Sequence, residues 1–268
     1  MNNNYLPTDY QTFIATSRYA RWLEDEGRRE TWGETVHRYM RHIVYQALPS
    51  LGEPVDDYDY GALEIKIRDA ILSLEVMPSM RSMMTAGKAA DRDNTCMYNC
   101  SYLPVDDPKS FDEAMFILLC GTGVGFSVER QFITKLPDVP DLFQSDTTVV
   151  IKDSKEGWAK GLRQVLALLW AGEIPKWDVS KVRPAGARLK TFGGRASGPA
   201  PLIDLFNFAV TTFRQAQGRR LSSLECHDLM CKIGEVVVVG GVRRSAMISL
   251  SNLSDDRMRH AKSGNWWE

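Results

Sequence analysis

The sequence has few cysteines, no long apolar run and almost no net charge. Its 268 residues include 33 basic and 34 acidic side chains, which gives a formal net charge of −1. Because no overall field would attract a polyanion, binding to nucleic acid or to an anionic membrane surface is not predicted. No segment approaches the roughly 20 apolar residues of a membrane span, and the N-terminal MNNNYLPTDY lacks a signal-peptide pattern. A cytoplasmic protein without membrane contact is therefore expected.

The cysteines are too few and too widely spaced for a disulfide framework. There are five, an odd number for a long chain: Cys96, Cys100, Cys120, Cys226 and Cys231. This usage favours reduced thiols over secreted disulfides. No pair has the two-residue gap of a zinc knuckle, and the four histidines show no metal-ligand spacing. No metal site is predicted.

Two common nucleotide-binding motifs are also missing. The chain has no Gly-Lys-Ser or Gly-Lys-Thr of a P-loop, and Gly121-Thr-Gly123-Val-Gly125 does not fit G-x-G-x-x-G. An alternating strand pattern follows these glycines where a Rossmann site would need a helix. A dinucleotide site is therefore disfavoured.

What is present is an ordinary globular composition, with 44% hydrophobic and 25% charged residues. Residues 11–45 are charged and aromatic, which predicts surface helices broken near Gly27 and Gly33. Residues 62–75 place apolar side chains at helical spacing on one face. The N-terminal quarter is therefore predicted to be a helical layer.

From Pro78 onward the pattern changes to short strands separated by helices. Alternating or β-branched runs predict strands at 124–128, 147–151 and 246–250. Apolar residues at helical spacing separate them, and Ser110 with Glu113 and Ser222 with Glu225 have capping-box spacing. Strands joined by helices long enough to cross over indicate an α/β architecture.

Three loops contain residues suited to ligand binding. The first, 77–88, mixes hydroxyls, backbone N–H groups and positive charge; the second, 120–126, has three glycines; the third, 239–246, has a glycine pair followed by two arginines. Glycine permits close backbone approach, and arginine offers a planar fork for phosphate or base edges. The plainer alternatives are a helix terminator, a β-bulge, and a tight turn with a solvated basic face.

Five segments in order, PSMRSMMTAG, YNCSY, GTGVGFSVE, RPAGARLKTFGGRASGPAPL and VVVGGVRRSA, closely resemble the adenosylcobalamin-dependent (class II) ribonucleotide reductases of the ribonucleoside-triphosphate type. The N-terminal RYARWLEDEGRRETWGETVHRY resembles the same subfamily. The resemblance implies an α/β fold: an N-terminal helical region, 1–76, plus the first half of a ten-stranded α/β barrel, 77–268. The C-terminal half would be absent.

The resemblance also assigns roles to residues. Cys100 in YNCSY matches the first of two reducing cysteines, while a third cysteine, as a thiyl radical, abstracts the 3′ hydrogen of the ribose. Its disulfide partner would have its Cα about 5.5 Å away. A buried structural cysteine is the plainer alternative. The residues implied in substrate binding are Ser79, Met80, Arg81, Asn99, Gly121, Gly123 and Gly125.

Two further sets are implied in regulation. The specificity loop, which reads the substrate base and relays the bound effector, matches Gly240, Gly241, Val242, Arg243, Arg244 and Ser245. Contacts to a deoxynucleoside triphosphate effector match Asp107, Arg188, Lys190 and Arg195. For Asp107, a plain helix N-cap is an equal alternative.

The family's radical cysteine lies in Asn-x-Cys-x-Glu, followed by the second reducing cysteine and C-terminal re-reducing thiols. None of these is in the sequence. We therefore expect an N-terminal part that needs a complementary C-terminal reductase fragment, adenosylcobalamin, a ribonucleoside triphosphate substrate and a thioredoxin-type reductant. The alternative is a catalytically inactive nucleotide-binding module that retains effector recognition.

Overall fold

The computed structural model describes residues 6–48, 60–187, 195–239 and 246–264. The chain divides into two compact units, with the boundary between Asn99 and Cys100. We call Met1–Asn99 the first unit and Cys100–Glu268 the second unit. No helix among the described residues is long and apolar enough to cross a membrane.

The first unit is mostly helical, as the sequence predicts. Its elements are α1 (Asp9–Ile14), a π-helical turn (Ala15–Tyr19), the antiparallel pair β1 (Trp22–Leu23) and β2 (Arg28–Arg29), α2 (Trp32–Tyr39), a second π-helical turn (Met40–Val44), α3 (Tyr45–Ala47), α4 (Tyr60–Leu72), α5 (Met80–Thr85), α6 (Lys88–Arg92) and a 3₁₀ turn (Asn94–Met97). Trp32, Val36, Met40, Ile71 and Met83 form its buried core.

The two predicted helix breaks have different outcomes. Gly27 lies between β1 and β2 with φ +62°, a conformation that glycine adopts at little cost. The break predicted at Gly33 is wrong, because Gly33 lies in the first turn of α2. Thr31 caps that helix and Glu34 closes the capping box, which fixes the start of the helix just before the glycine.

The segment 77–88 is also more helical than predicted. The preceding helix α4 ends at Leu72, and Leu74 follows with φ +66°. The expected loop then contains α5. The last carbonyls of α5 are bound by arginines, since Arg38 Nη1 donates to Met83 O and Ala86 O at 2.8 Å each. Such contacts satisfy backbone groups that a helix end leaves open.

The second unit is an α/β assembly, which confirms the predicted class. Its elements are β3 (Cys100–Pro104), α7 (Lys109–Leu119), β4 (Gly123–Ser127), α8 (Arg130–Ile133), β5 (Phe143–Val150), α9 (Lys155–Trp170), β6 (Glu173–Asp178), α10 (Ala200–Gln215), α11 (Ser223–Val239), β7 (Met247–Leu250) and α12 (Asp256–Arg259). The three predicted strands correspond to β4, β5 and β7.

Parallel pairing organises the strands of the second unit. One sheet has the order β3-β4-β7, and a separate pair is formed by β5 and β6; both are parallel. Helix α7 packs against β3, β4, α9 and α11 and so covers the three-stranded sheet. Its buried residues include Phe111 and Met115.

Of the two predicted capping boxes, one is confirmed and one is wrong. Ser222 Oγ accepts from Glu225 N–H, and Glu225 Oε2 accepts from Ser222 N–H at 2.8 Å, just before α11. Ser110, however, lies inside α7, which already begins at Lys109 after Pro108. Pro108 is the N-cap residue, and Asp107 before it accepts at Oδ1 from Lys109 N–H at 2.8 Å.

Candidate functional site

Cys100 is the first residue of β3, and its thiol is exposed. It pairs in register with Gly123 of β4, a residue that has no side chain to cover the sulfur. Cys100 thus stands at the end of a strand, shortly after the 3₁₀ turn Asn94–Met97. A buried structural cysteine, the plainer alternative, does not describe this thiol.

The three-stranded sheet has two different faces. Successive residues of a strand point to opposite sides, and paired residues of neighbouring strands share a side. The open face is formed by Cys100, Tyr102, Gly123, Gly125, Ile248 and Leu250, with Pro104 and the buried Ser127 at its far end. The packed face is formed by Ser101, Leu103, Val124, Phe126, Met247 and Ser249. Leu103, Val124 and Phe126 are buried, whereas Tyr102, Ile248 and Leu250 are exposed.

Gly123 and Gly125 leave the central strand of the open face without side chains at two positions. A Cβ at Gly125 would lie 3.3 Å from Ile248 Cγ2 and 3.5 Å from Ser101 O. The β-bulge alternative does not describe these residues, because the pairing of β3 with β4 runs without a shift from Cys100↔Gly123 to Pro104↔Ser127. The strand next to Cys100 therefore carries no side chain on this face at Gly123 and Gly125.

Gly121 has another role. It follows α7 with φ +83°, and its N–H donates to Leu118 O at 2.8 Å. A left-handed glycine with this bond is a common way to end a helix. Its predicted place among the substrate-binding residues is untested, whereas its contribution to the turn before β4 is direct.

The other predicted substrate residues lie in the first unit. Arg81 Nε donates to Asn99 Oδ1 at 3.3 Å, so these two candidates are adjacent. Ser79 and Met80 are exposed at the start of α5. Asn99 directly precedes Cys100 in the chain, which keeps its backbone next to the thiol-bearing residue.

The predicted effector and specificity residues are only partly described. Arg188, Lys190 and the whole loop from Gly240 to Ser245 lie outside the described residues. Arg195 is exposed, and its Nη1 donates to Gly186 O at 3.0 Å. Asp107 lies one residue before Pro108, the N-cap of α7; its Oδ1 accepts from Lys109 N–H, and the residue remains exposed.

Sequence reasoning missed the apolar side chains of the open face. Tyr102, Ile248 and Leu250 alternate with inward-facing neighbours, and that alternation is visible in the sequence. What the sequence does not show is which side of the sheet is covered by helices. In a half-buried strand an apolar side chain is normally assigned to the covered face.

A second group of polar side chains, on the packed face, was also missed. His227 Nδ1 lies 2.9 Å from Ser249 Oγ, and His227 Nε2 lies 3.4 Å from Cys231 Sγ. Burial lowers the pKa of His227 and raises the pKa of Cys231, so both groups are held in their neutral forms. The signal in the sequence was the four-residue spacing of His227 and Cys231 in a helical pattern.

The remaining thiols of the second unit are enclosed. Cys120 and Cys226 are buried, and burial raises the pKa of the Cys226 thiol. Lys155 Nζ lies 3.1 Å from Cys120 Sγ. Cys100 is therefore the thiol of this unit that is exposed on the open face.

Comparison with known proteins gives a consistent result. The sequence family described as B12-dependent ribonucleotide reductase, insertion domain, matches residues 138–212. The chain is 30% identical to an adenosylcobalamin-dependent ribonucleoside-triphosphate reductase of Lactobacillus delbrueckii subsp. bulgaricus, over 88% of this chain and 40% of the relative. It is 29% identical to the same-named protein of Lactobacillus leichmannii, with equal coverage.

The fold also has a close counterpart among solved structures. A crystal structure of a B12-dependent (class II) ribonucleotide reductase superposes with a TM-score of 0.79, at 23% identity, over 94% of this chain and 43% of the other. The chain thus spans about two-fifths of the length of the curated relatives it matches. The fold and the sequence matches extend over both compact units.

Proposed function

We propose that this chain, a relative of the B12-dependent (class II) ribonucleotide reductases, is the N-terminal part of an enzyme that converts ribonucleoside triphosphates to 2′-deoxyribonucleotides. The matches cover most of the chain but only two-fifths of the named reductases. The activity is therefore proposed for the enzyme that this part completes.

The observation that carries the proposal is the position of Cys100. Its exposed thiol lies at the end of a strand, beside the glycine-lined middle of the open face. Replacing a 2′-hydroxyl by hydrogen consumes two thiols: the hydroxyl leaves as water, the carbon gains hydrogen, and the sulfurs form a disulfide. A reducing thiol must reach the ribose, which an exposed strand-end cysteine can do.

The open face supports a nucleotide-sized site. Gly123 and Gly125 let a ribose approach the backbone, and Tyr102 and Ile248 provide apolar surface on either side of them in register. In our proposal this face lines the interior of a ten-stranded α/β barrel, of which residues 77–268 contribute the first half and residues 1–76 a helical addition. Exposed apolar side chains on the face fit a surface that another part of the enzyme covers.

The second reducing thiol and the radical cysteine would come from a complementary C-terminal part. The sequence has no Asn-x-Cys-x-Glu. Within the second unit Cys120 and Cys226 are buried, and Cys231 lies on α11, which packs against the opposite side of the sheet through Phe126 and Ser249. After each turnover a thioredoxin-type reductant would restore the disulfide to thiols.

Adenosylcobalamin is proposed as the cofactor because the relatives are named as dependent on it. When bound, it would supply the radical from which the thiyl radical is generated. A cavity in the first unit has a volume of about 230 Å³ and an apolar lining that includes Leu6, Tyr10 and Trp32, which is far too small for a corrin. No residue of this chain is assigned to the cofactor.

Regulation by a deoxynucleoside triphosphate is proposed for the remaining candidates. The matched insertion-domain segment, 138–212, contains Arg188, Lys190 and Arg195, which would bind effector phosphates. Asp107 is an exposed acid that could contact the same effector. The loop from Gly240 to Ser245 directly precedes β7, a strand of the open face, and would carry the signal to the substrate base.

The test is reconstitution. The chain is mixed with a C-terminal reductase part, adenosylcobalamin, a ribonucleoside triphosphate and a thiol reductant, and deoxynucleotide is measured. We expect turnover, its complete loss in Cys100→Ser, and its retention in Cys96→Ala, which removes a buried thiol four residues earlier. Turnover that survives in Cys100→Ser would refute the role of this cysteine.

Calorimetry separates the alternative function. Affinity of the chain for deoxynucleoside triphosphates, combined with no turnover in any reconstituted mixture, would indicate a nucleotide-binding module instead of an enzyme part.

A further inference from the structure

We propose that His227 and Cys231 form a two-ligand chelating site for a soft divalent cation of the zinc class, with Ser249 orienting the imidazole. The site is separate from the open face and does not depend on the proposed reductase function. Because His227 and Cys231 are four residues apart on α11, their side chains project from the same side of the helix.

The distance between the two donor atoms fits a shared metal. Zinc binds thiolate sulfur at about 2.3 Å and imidazole nitrogen at about 2.0 Å, so a tetrahedral angle places the two donors about 3.5 Å apart. His227 Nε2 and Cys231 Sγ are 3.4 Å apart without any metal. Little rearrangement would be needed on binding.

The imidazole is held as metal-binding histidines usually are. When Nδ1–H donates to Ser249 Oγ at 2.9 Å, Nε2 keeps its lone pair and faces Cys231. The His227 ring also packs on Phe126, with a centroid distance of 5.9 Å, which restricts its plane. A hydrogen bond from the ring nitrogen that does not bind the metal fixes both the tautomer and the direction of the imidazole.

The surroundings allow a cation to enter. Cys231 is exposed, so the remaining coordination positions are open to water or to a ligand from another chain. Asp228 and Lys262 act on both groups electrostatically, with opposite signs. Binding replaces the thiol proton by the metal, and the neutral imidazole is the form that coordinates.

Among the described residues, no group of three or more metal-ligating side chains occurs. The site is therefore a half-site with two protein ligands. No metal site is predicted from the sequence, because the cysteines lack zinc-knuckle gaps and the histidines lack ligand spacing; a Cys–His pair four residues apart on a helix is a different pattern.

The first test uses the unaltered 268-residue chain. Alkylation of each cysteine by iodoacetamide is followed by peptide mass spectrometry, with and without Zn²⁺. At a zinc concentration about ten times Kd, the free Cys231 thiol, and hence its alkylation rate, should fall about tenfold. Cys100, which is also exposed, has no imidazole partner among the described residues and is the internal control. Equal protection of the two thiols, or none at Cys231, would overturn the site.

Variants then separate chelation from simple thiol binding. His227→Gln should remove the zinc protection of Cys231, and Ser249→Ala should weaken zinc affinity about tenfold by releasing the ring. Far-ultraviolet circular dichroism checks that both variants are folded. Protection of Cys231 that persists unchanged in folded His227→Gln would contradict chelation, and unchanged affinity in Ser249→Ala would contradict the orienting role.

Discussion

The two faces of the β3-β4-β7 sheet are built from the same strands but differ in almost every property. On the packed face, Leu103 and Phe126 are 8% and 1% exposed; on the open face, Tyr102 and Ile248 are 56% and 62% exposed. Successive residues of one strand therefore have different roles. The packed face stabilises the unit, which leaves the open face free to bear a thiol, glycines and uncovered apolar side chains.

The largest expected difference between the faces is in stability. Phe126→Ala removes a fully buried ring and should lower the free energy of unfolding by about 3–5 kcal/mol. Tyr102→Ala, in the neighbouring strand on the open face, should change it by less than about 0.5 kcal/mol. Urea denaturation of both variants measures this contrast. Similar losses would mean that the open face is also packed in solution.

The next largest loss of stability is expected for an ion pair between α7 and α9, the helices that pack behind the packed face. Arg163 of α9 donates from Nε to both oxygens of Asp112 of α7, at 2.9 and 2.8 Å, and Asp112 is buried. Arg163→Ala leaves that carboxylate without its cation and should cost about 2 kcal/mol. Burial raises the pKa of Asp112 in spite of these bonds, so the loss should shrink as acid protonates the carboxyl.

The matched control for this pair is an exposed one. Lys135 and Asp106 lie 3.0 Å apart at the surface, with the lysine side chain 59% exposed. Lys135→Ala should cost less than about 0.5 kcal/mol. Thermal unfolding of both variants is compared at neutral and acidic pH. A larger loss for Lys135→Ala than for Arg163→Ala would contradict the claim that the buried Asp112 makes its ion pair the more stabilising one.

A smaller effect is expected at the start of α11. Glu225 closes the capping box with Ser222 and binds Arg219 at 2.7 Å, and Glu225→Ala should cost about 1 kcal/mol at neutral pH. Glu235→Ala, at an exposed glutamate of the same helix, is the control, with an expected loss below about 0.5 kcal/mol.

The cost at Glu225 should depend on pH. Burial acts to raise the pKa of Glu225, but hydrogen bonds from Arg219 and Ser222 outweigh it and lower the pKa from 4.5 to about 2. A carboxyl whose folded pKa is depressed stabilises the protein above its unfolded pKa and loses that contribution as pH falls toward the folded value. The difference between Glu225→Ala and the unaltered chain should therefore disappear between pH 4.5 and 2. A constant difference across this range would exclude the ionic contribution.

The last prediction concerns Gly125 on the open face, where the expected effect is mainly on turnover. Gly125→Ala gains backbone rigidity but places a Cβ 3.3 Å from Ile248 Cγ2, so the net change should stay within about 1 kcal/mol. Turnover of the reconstituted enzyme should nevertheless fall, because the added methyl group occupies space near Cys100 that, in our proposal, the ribose of the substrate uses. Full turnover with unchanged KM would show that the substrate does not use this part of the sheet.

The sequence predicts the strands and helices well where periodicity is strong. The alternation in 124–128 and the apolar spacing around Leu162 and Leu169 gave elements of the right type, since burial on one side leaves a regular pattern. Helix starts were less reliable. Ser110 has capping-box spacing, but α7 begins two residues earlier than that spacing predicts, at Lys109 after Pro108, and Asp107 Oδ1 accepts from Lys109 N–H.

The candidate site was predictable in part. Cys100 was selected because five ordered segments resemble one family, and its exposed position at the start of β3 agrees with that selection. Tyr102 and Ile248 could not be selected, because alternation gives two faces without saying which one the helices cover. The His227–Ser249 contact joins a helix to a strand 22 residues away and leaves no trace in local periodicity.

The pairing of β4 with β7 also has a consequence for how the protein acquires its shape. Val124 pairs with Met247, so more than 100 residues must be synthesised and arranged before the third strand can join. Contacts of such long separation slow folding, whereas β3, α7 and β4 are neighbours in sequence and can associate early. The edge of β4 that awaits β7 would stay unpaired during synthesis, and this interval is when the nascent chain is most exposed to aggregation.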